Sequence, residues 1–237
     1  MTRRWPTMRI MLTAHLYFAA LTCAALLGVT LVVAVGISVW GEVDRSYWHY
    51  VATQFLRWIA FGLGVDAISS YLRMHIAHGR TRRDFLRQLF PYLVGLSVVY
   101  AVLVVLGYLL ERGVYALTGW PPRREDSPLL DSIPDVLGYV GPFTLMLLLW
   151  AIAGVLLSAA FNRDAVLGLV TIPIGLLIIA PSEFIVDVVT VPFLRTVVES
   201  LRVTTLAGIG LGLAGIAIGC VAIWGIVRDM PMRPKVA

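Results

Sequence analysis

The sequence predicts an all-α integral membrane protein, a bundle of six transmembrane helices with both ends on the cytoplasmic side. Three observations carry that reading. The chain of 237 residues is 59% hydrophobic and only 14% charged, where an ordinary soluble domain carries about 25% charged residues. Its apolar residues gather into runs close to the roughly 20 residues a bilayer demands. Its cations sit in short connections beside those runs, and mostly on one side.

Taken in order, the apolar runs place spans at 16–40, 48–72, 90–110, 136–160, 165–181 and 204–227. Together they make one transmembrane domain, 16–227, flanked by a cytoplasmic segment 1–15 and a cytoplasmic tail 228–237. The segment before Leu16 mixes Arg3, Arg4 and Arg9 with Trp5, Met8, Ile10, Met11 and Leu12, which suits either an interfacial helix on the inner leaflet or a disordered positive tail. The run that follows is far longer than a signal-peptide core and reads as an uncleaved first helix.

With the start inside, twelve Lys and Arg residues fall on the inner side and six on the outer, the outer ones mixed with ten acids. That asymmetry orients the bundle with its N- and C-termini inside. Two outer segments have their own character. The stretch 112–135 is rich in proline and charge and reads as a solvated loop. The stretch 182–203 stays half apolar, with Leu194, Val197, Val198 and Leu201 at helical spacing. It predicts short re-entrant or interfacial helices before the sixth span.

Cys23 and Cys220 both lie inside apolar runs and read as small buried hydrophobes. Arginine supplies every cation but Lys235, and Asn162 is the single asparagine. This composition is expected of a GC-rich bacterial genome, and with it the inner (plasma) membrane. The cations flank membrane spans, so the basic balance is no nucleic-acid footprint.

Ionisable residues inside spans are costly and usually face a bundle interior or a hydrated cavity. On the second span His49, Thr53 and Arg57 share one helical stripe, with Gln54 at its edge, while Asp66, Ser70 and Arg73 share the opposite one. Two roles fit the first stripe: the wall of a translocation route, or a structural tie in which Arg57 meets a buried acid or carbonyls. On the sixth span Gly208, Gly212, Gly215 and Gly219 form one narrow seam for close helix packing, against a partner helix of this chain or another.

Signals for catalysis are weak. His75 and His78 have a metal-compatible spacing but sit among arginines, with no third ligand near. Glu183, Asp187 and Glu199 lie on the outer side with no candidate base or nucleophile beside them, so no catalytic residue, metal or bound cofactor is expected. A phosphate-binding loop needs a lysine after its second glycine, and the only lysine is Lys235. Any ATPase must therefore be a separate chain.

The most informative stretch is Gly79-Arg80-Thr81-Arg82-Arg83-Asp84-Phe85. Gly79 can close the second helix in the left-handed conformation. Thr81 offers an N-cap to the next, with Asp84 completing a capping-box pattern. A tight helical hairpin follows, armed with arginines, and on the residues alone their simplest role is to anchor the loop to anionic lipid on the inner side. Placed between the second and third of six spans, the stretch resembles the Gly-x-Thr/Ser-Arg-Arg-x-Phe pattern of type-2 export permeases of ATP-binding-cassette (ABC) transporters, the small actinobacterial ones in particular. The length, the six-span layout, the N-terminal interfacial segment and the apolar outer segment before the sixth span extend the resemblance.

The resemblance implies that the hairpin docks on a separate ABC ATPase subunit, which holds the ATP and magnesium, beside a second permease copy or homologue. It also implies export of amphipathic peptides, lipids, glycolipids or drugs. Two other readings keep the bundle without transport: a non-enzymatic membrane scaffold or immunity protein, and an intramembrane enzyme acting on a lipid.

Overall fold

The computed structural model describes residues 6–41, 43, 46–120, 133–186 and 204–230, and among these there is no strand. The protein is an all-α six-helix membrane protein, with six helices long and apolar enough to cross a bilayer. The first crossing is α1 (Pro6–Trp40) and the second is α2 (Tyr47–Asp66), which runs through a π-helical stretch, Ala67–Leu72, into α3 (Arg73–Ala77). The third is α4 (Arg82–Thr118); a short α5 (Ile133–Gly138) leads into the fourth, α6 (Val140–Arg163). The fifth is α7 (Ala165–Ile179), continued after a slight break by α8 (Pro181–Ile185), and the sixth is α9 (Thr205–Arg228).

The expected spans 16–40, 48–72, 90–110, 136–160, 165–181 and 204–227 all fall on these helices, and several helices overrun them. Apolar runs mark the part of a helix that lipid requires, while caps mark where the helix stops. α4, with 37 residues, is about 55 Å long at 1.5 Å per residue, well beyond a hydrocarbon core of roughly 30 Å. The segment 1–15, expected as a separate interfacial helix, is from Pro6 onward continuous with the first span. Of the expected loop 112–135, residues 112–118 are instead the last turns of α4 and 133–135 begin α5, while 121–132 lie outside the described residues, as do 187–203, including the predicted apolar face of Leu194, Val197, Val198 and Leu201.

α6 is the axis of the bundle: 83% of its most apolar stretch is buried, against 22% for α1. Its crossing with α2 is close because both helices carry a glycine there. A Cβ on Gly64 would strike the Ala151 carbonyl, and one on Gly154 the Phe61 carbonyl. One turn on, Ser158 donates to the Val65 carbonyl at 3.0 Å, where the α-helical ladder of α2 gives way to the π-helical stretch. A hydroxyl from a neighbouring helix can thus satisfy a backbone group that lipid would leave unpaired.

Contacts between chain-distant residues fix one end of the bundle. There Thr7 meets His75 at 2.7 Å, the Met8 amide donates to Gln88 at 3.2 Å and Arg73 donates to Asn162 at 2.7 Å. Arg82 and Arg163 each donate to a carbonyl at the end of α9, of Arg228 at 2.9 Å and of Ile226 at 3.4 Å. This end, where α1 begins and α9 finishes, is the arginine face.

Candidate functional site

The corner at Gly79 stands on the arginine face between α3 and α4. Gly79 adopts φ 73°, a conformation that costs an ordinary L-residue about 1–2 kcal/mol. Its amide donates to the Ile76 carbonyl at 2.8 Å, and the Arg80 amide to the His75 carbonyl at 3.3 Å. This is the paired closure of a helix that ends on a left-handed residue. Thr81 takes extended backbone angles, and its hydroxyl accepts from the Asp84 amide at 3.2 Å. The hydroxyl half of the expected capping box is therefore present. The Asp84 carboxylate instead lies 3.9 Å from Arg80 and 3.9 Å from the His75 Nε2.

Inward, the corner is anchored by Phe85, 1% exposed, which meets the buried His75 ring edge-on at 5.4 Å. Through Thr7, His75 links the corner to the first turn of α1. His78 turns back on the Met74 carbonyl at 2.7 Å, so the two histidines do different jobs, and no metal-binding cluster exists among the described residues. Outward, Gly79, Arg80, Thr81 and Arg83 are exposed. The corner is thus a rigid, positively charged tip held from beneath.

The polar stripe of α2 lies inside the bundle. His49 meets the Tyr108 hydroxyl at 2.7 Å, and Thr53 donates to the His49 carbonyl at 2.7 Å. Gln54 is half-buried at the edge. Arg57, 1% exposed, donates through Nε to the Thr53 carbonyl and through Nη1 to Glu183 Oε1 at 3.0 Å. Its guanidinium also lies over the Trp150 ring, 5.4 Å from the centroid. Trp150 in turn donates to Ser182 at 3.2 Å. The pair joins α2 to α8 across the face of α6. Glu183, which the sequence left as an outer acid without a base beside it, is the counter-charge of Arg57.

A second buried carboxylate went unremarked in the sequence. Glu111 on α4 accepts from the Trp48 amide at 2.9 Å, from Ser46 at 2.5 Å and from Tyr115 at 3.3 Å. Ser46 is itself the N-cap of α2, accepting from the His49 amide at 3.1 Å. A carboxylate is well placed at a helix N-terminus, where the unpaired amides and the helix dipole favour negative charge. Trp48 completes this joint by donating to the Val104 carbonyl at 2.9 Å.

The glycine seam of α9 packs within this chain. Gly208 faces Phe184, Gly212 faces Ile185 and Leu145, Gly215 faces Ile178 and Leu149, and Gly219 faces Ile152. The partner helices that the sequence left open are α6, α7 and α8. No family model, curated protein or solved structure matches this chain.

Proposed function

We propose that the chain is the membrane subunit of an ATP-driven ABC exporter in the inner membrane of a bacterium. It would work as a two-fold dimer beside two copies of a separate ATPase. The observation that carries this reading is the Gly79 corner: rigidly closed, exposed, cationic, and continuous with two of the bundle's long helices. A tip built this way transmits force instead of absorbing it. A push on Gly79 and Arg80 bears on α2–α3, a nearly unbroken rod, and on α4.

The Arg57–Glu183 pair supports the same reading. It ties that rod to α8 about 16 Å along α2 from Ser46, at 1.5 Å per residue. Motion of the corner therefore reaches the fifth crossing through a named contact. In this reading His49, Thr53, Gln54 and Arg57 form the wall that is exposed when the bundle changes shape, and ATP and magnesium stay with the partner subunit.

The experiment is co-purification in mild detergent, with ATP hydrolysis measured in the complex. The intact chain should bring down an ATPase subunit whose turnover responds to it. Arg80→Glu, at the tip, should weaken that association while leaving the chain inserted and folded. A chain that purifies alone and has no effect on hydrolysis would turn the assignment toward a scaffold or immunity role. Arg82 is the poorer probe, because it also closes the end of α9.

A further inference from the structure

A cleft of about 480 Å³ opens on the arginine face between the first turns of α4 and the last turns of α9, lined by Arg82, Arg83, Leu86, Trp224 and Arg228. Three guanidinium groups share its rim. Asp229 meets Arg228 at 3.4 Å, while Asp84, on the same turn as Arg83, lies toward Arg80 and His75. Among the described residues neither Arg82 nor Arg83 has a carboxylate partner. Three cations against one engaged carboxylate leave the rim with a surplus of about two positive charges at neutral pH.

The floor is of another kind. Leu86 is apolar, and the Trp224 indole stacks beneath the Arg228 guanidinium, 5.3 Å from ring centroid to Cζ. The helical stripes that end at the cleft are also informative. On α9, Val221, Trp224 and Arg228 follow one another at helical spacing and are 71%, 48% and 62% exposed. On α4, Val98 and Val94 lead through Pro91 and Arg87 to Arg83, all of them exposed. In a six-helix membrane protein, exposed apolar stripes of this length face acyl chains. Both stripes pass from exposed valine to arginine as they reach the cleft, the change expected where a bilayer passes from hydrocarbon to phosphate.

We propose that this cleft binds the phosphoryl headgroup of an anionic phospholipid. Arg83 and Arg228 supply fork-shaped donors that match phosphate oxygens, and Trp224 and Leu86 cover the glycerol and the first acyl carbons. Arg82 positions the site by holding the end of α9 against α4. Basic pockets between transmembrane helices at a membrane face are a recurring form of headgroup site. An apolar floor continuous with the lipid-facing stripes favours an acylated phosphate over free phosphate.

The test needs no ATPase. The purified chain is placed in nanodiscs of phosphatidylcholine mixed with phosphatidylglycerol, and lipid retained on release is read by native mass spectrometry. Phosphatidylglycerol should be retained in preference. That preference should fall about five-fold for Arg83→Gln and again for Arg228→Gln, but hold for Arg9→Gln, an exposed arginine of α1 outside the cleft. Among the described residues Arg83 is exposed and has no carboxylate partner, so its substitution is not expected to disturb folding. Should Arg228→Gln fold poorly, the Arg83→Gln result decides alone. Equal retention of both lipids would overturn the proposal, as would an equal fall for Arg9→Gln, the mark of diffuse surface charge. Displacement of the retained lipid by 10 mM inorganic phosphate would assign the cleft to a free anion and overturn the lipid assignment.

Discussion

Arg57 and the arginines of the Gly79 corner carry the same charge into opposite surroundings. Arg57 is enclosed by a carboxylate, a backbone carbonyl and an indole. Among the described residues Arg80 has only the half-exposed Asp84 at 3.9 Å, and Arg83 has no carboxylate partner. A buried cation must be answered within the fold, because lipid and apolar side chains offer it nothing. A cation at the membrane face is answered by water, and is free to meet something else. The comparison separates charges that hold this molecule together from charges that it presents.

The largest effect should come from breaking the buried pair. Glu183→Ala strands Arg57 and should cost about 3–5 kcal/mol, seen as a large fall in melting temperature in detergent. The double substitution Arg57→Met with Glu183→Leu should recover most of that loss, since an apolar pair of similar volume is often as stable. A Glu183→Ala protein as stable as the parent would break the comparison at its stronger end.

Next in size is the crossing of α2 and α6. Gly154→Ala forces two backbones apart and should cost about 1–3 kcal/mol, as overpacking does. Gly225→Ala, with open space around it, should leave the melting temperature unchanged or slightly raised. At the end of the bundle opposite the arginine face, Glu111→Gln replaces a charged acceptor by a neutral one at the start of α2. A loss of about 1–3 kcal/mol is expected by the same measurement, smaller than at Glu183 because backbone amides and hydroxyls answer Glu111 in the described structure, where Glu183 answers a full cation.

The corner should be nearly silent in stability. Thr81→Ala removes one cap and should cost about 1 kcal/mol. Arg80→Glu and Arg83→Gln should stay within about 0.5 kcal/mol, as exposed substitutions usually do. Cysteines at His78 and Thr118, in a background lacking Cys23 and Cys220, should label from opposite sides of the membrane. That labelling sharpens the comparison by fixing which side the corner faces.

The parts of this molecule that were legible in the sequence are those set by local rules. Apolar runs located six crossings, and Gly79 and Thr81 announced the corner because helix closure and capping each depend on a few adjacent residues. Helical periodicity put His49, Thr53 and Arg57 on one face, and that face is the buried one. The partners across space were not legible. Glu183 is separated from Arg57 by 126 positions, and nothing in either neighbourhood names the other. Glu111 sits at the end of one apolar run and caps a helix whose Trp48 amide lies 63 positions away in the chain, so its neighbours in sequence carry no sign of its partner. Gly64 and Gly154 lacked the repeated spacing that made the α9 seam visible, so this close crossing of α2 and α6 left no pattern.

The most direct measurement of the account is a cross-link from the tip of the corner. A single cysteine at Arg80, in the same cysteine-free background, carries a short photoreactive cross-linker in native membranes and is illuminated with and without ATP. The account predicts an adduct between this chain and an ATPase subunit from position 80, changed in yield by ATP, and none from a cysteine at Tyr50 near the opposite end. An ATPase that co-purifies with the chain yet never cross-links to position 80 would contradict the claim that the Gly79 corner is where ATP-driven force enters the bundle.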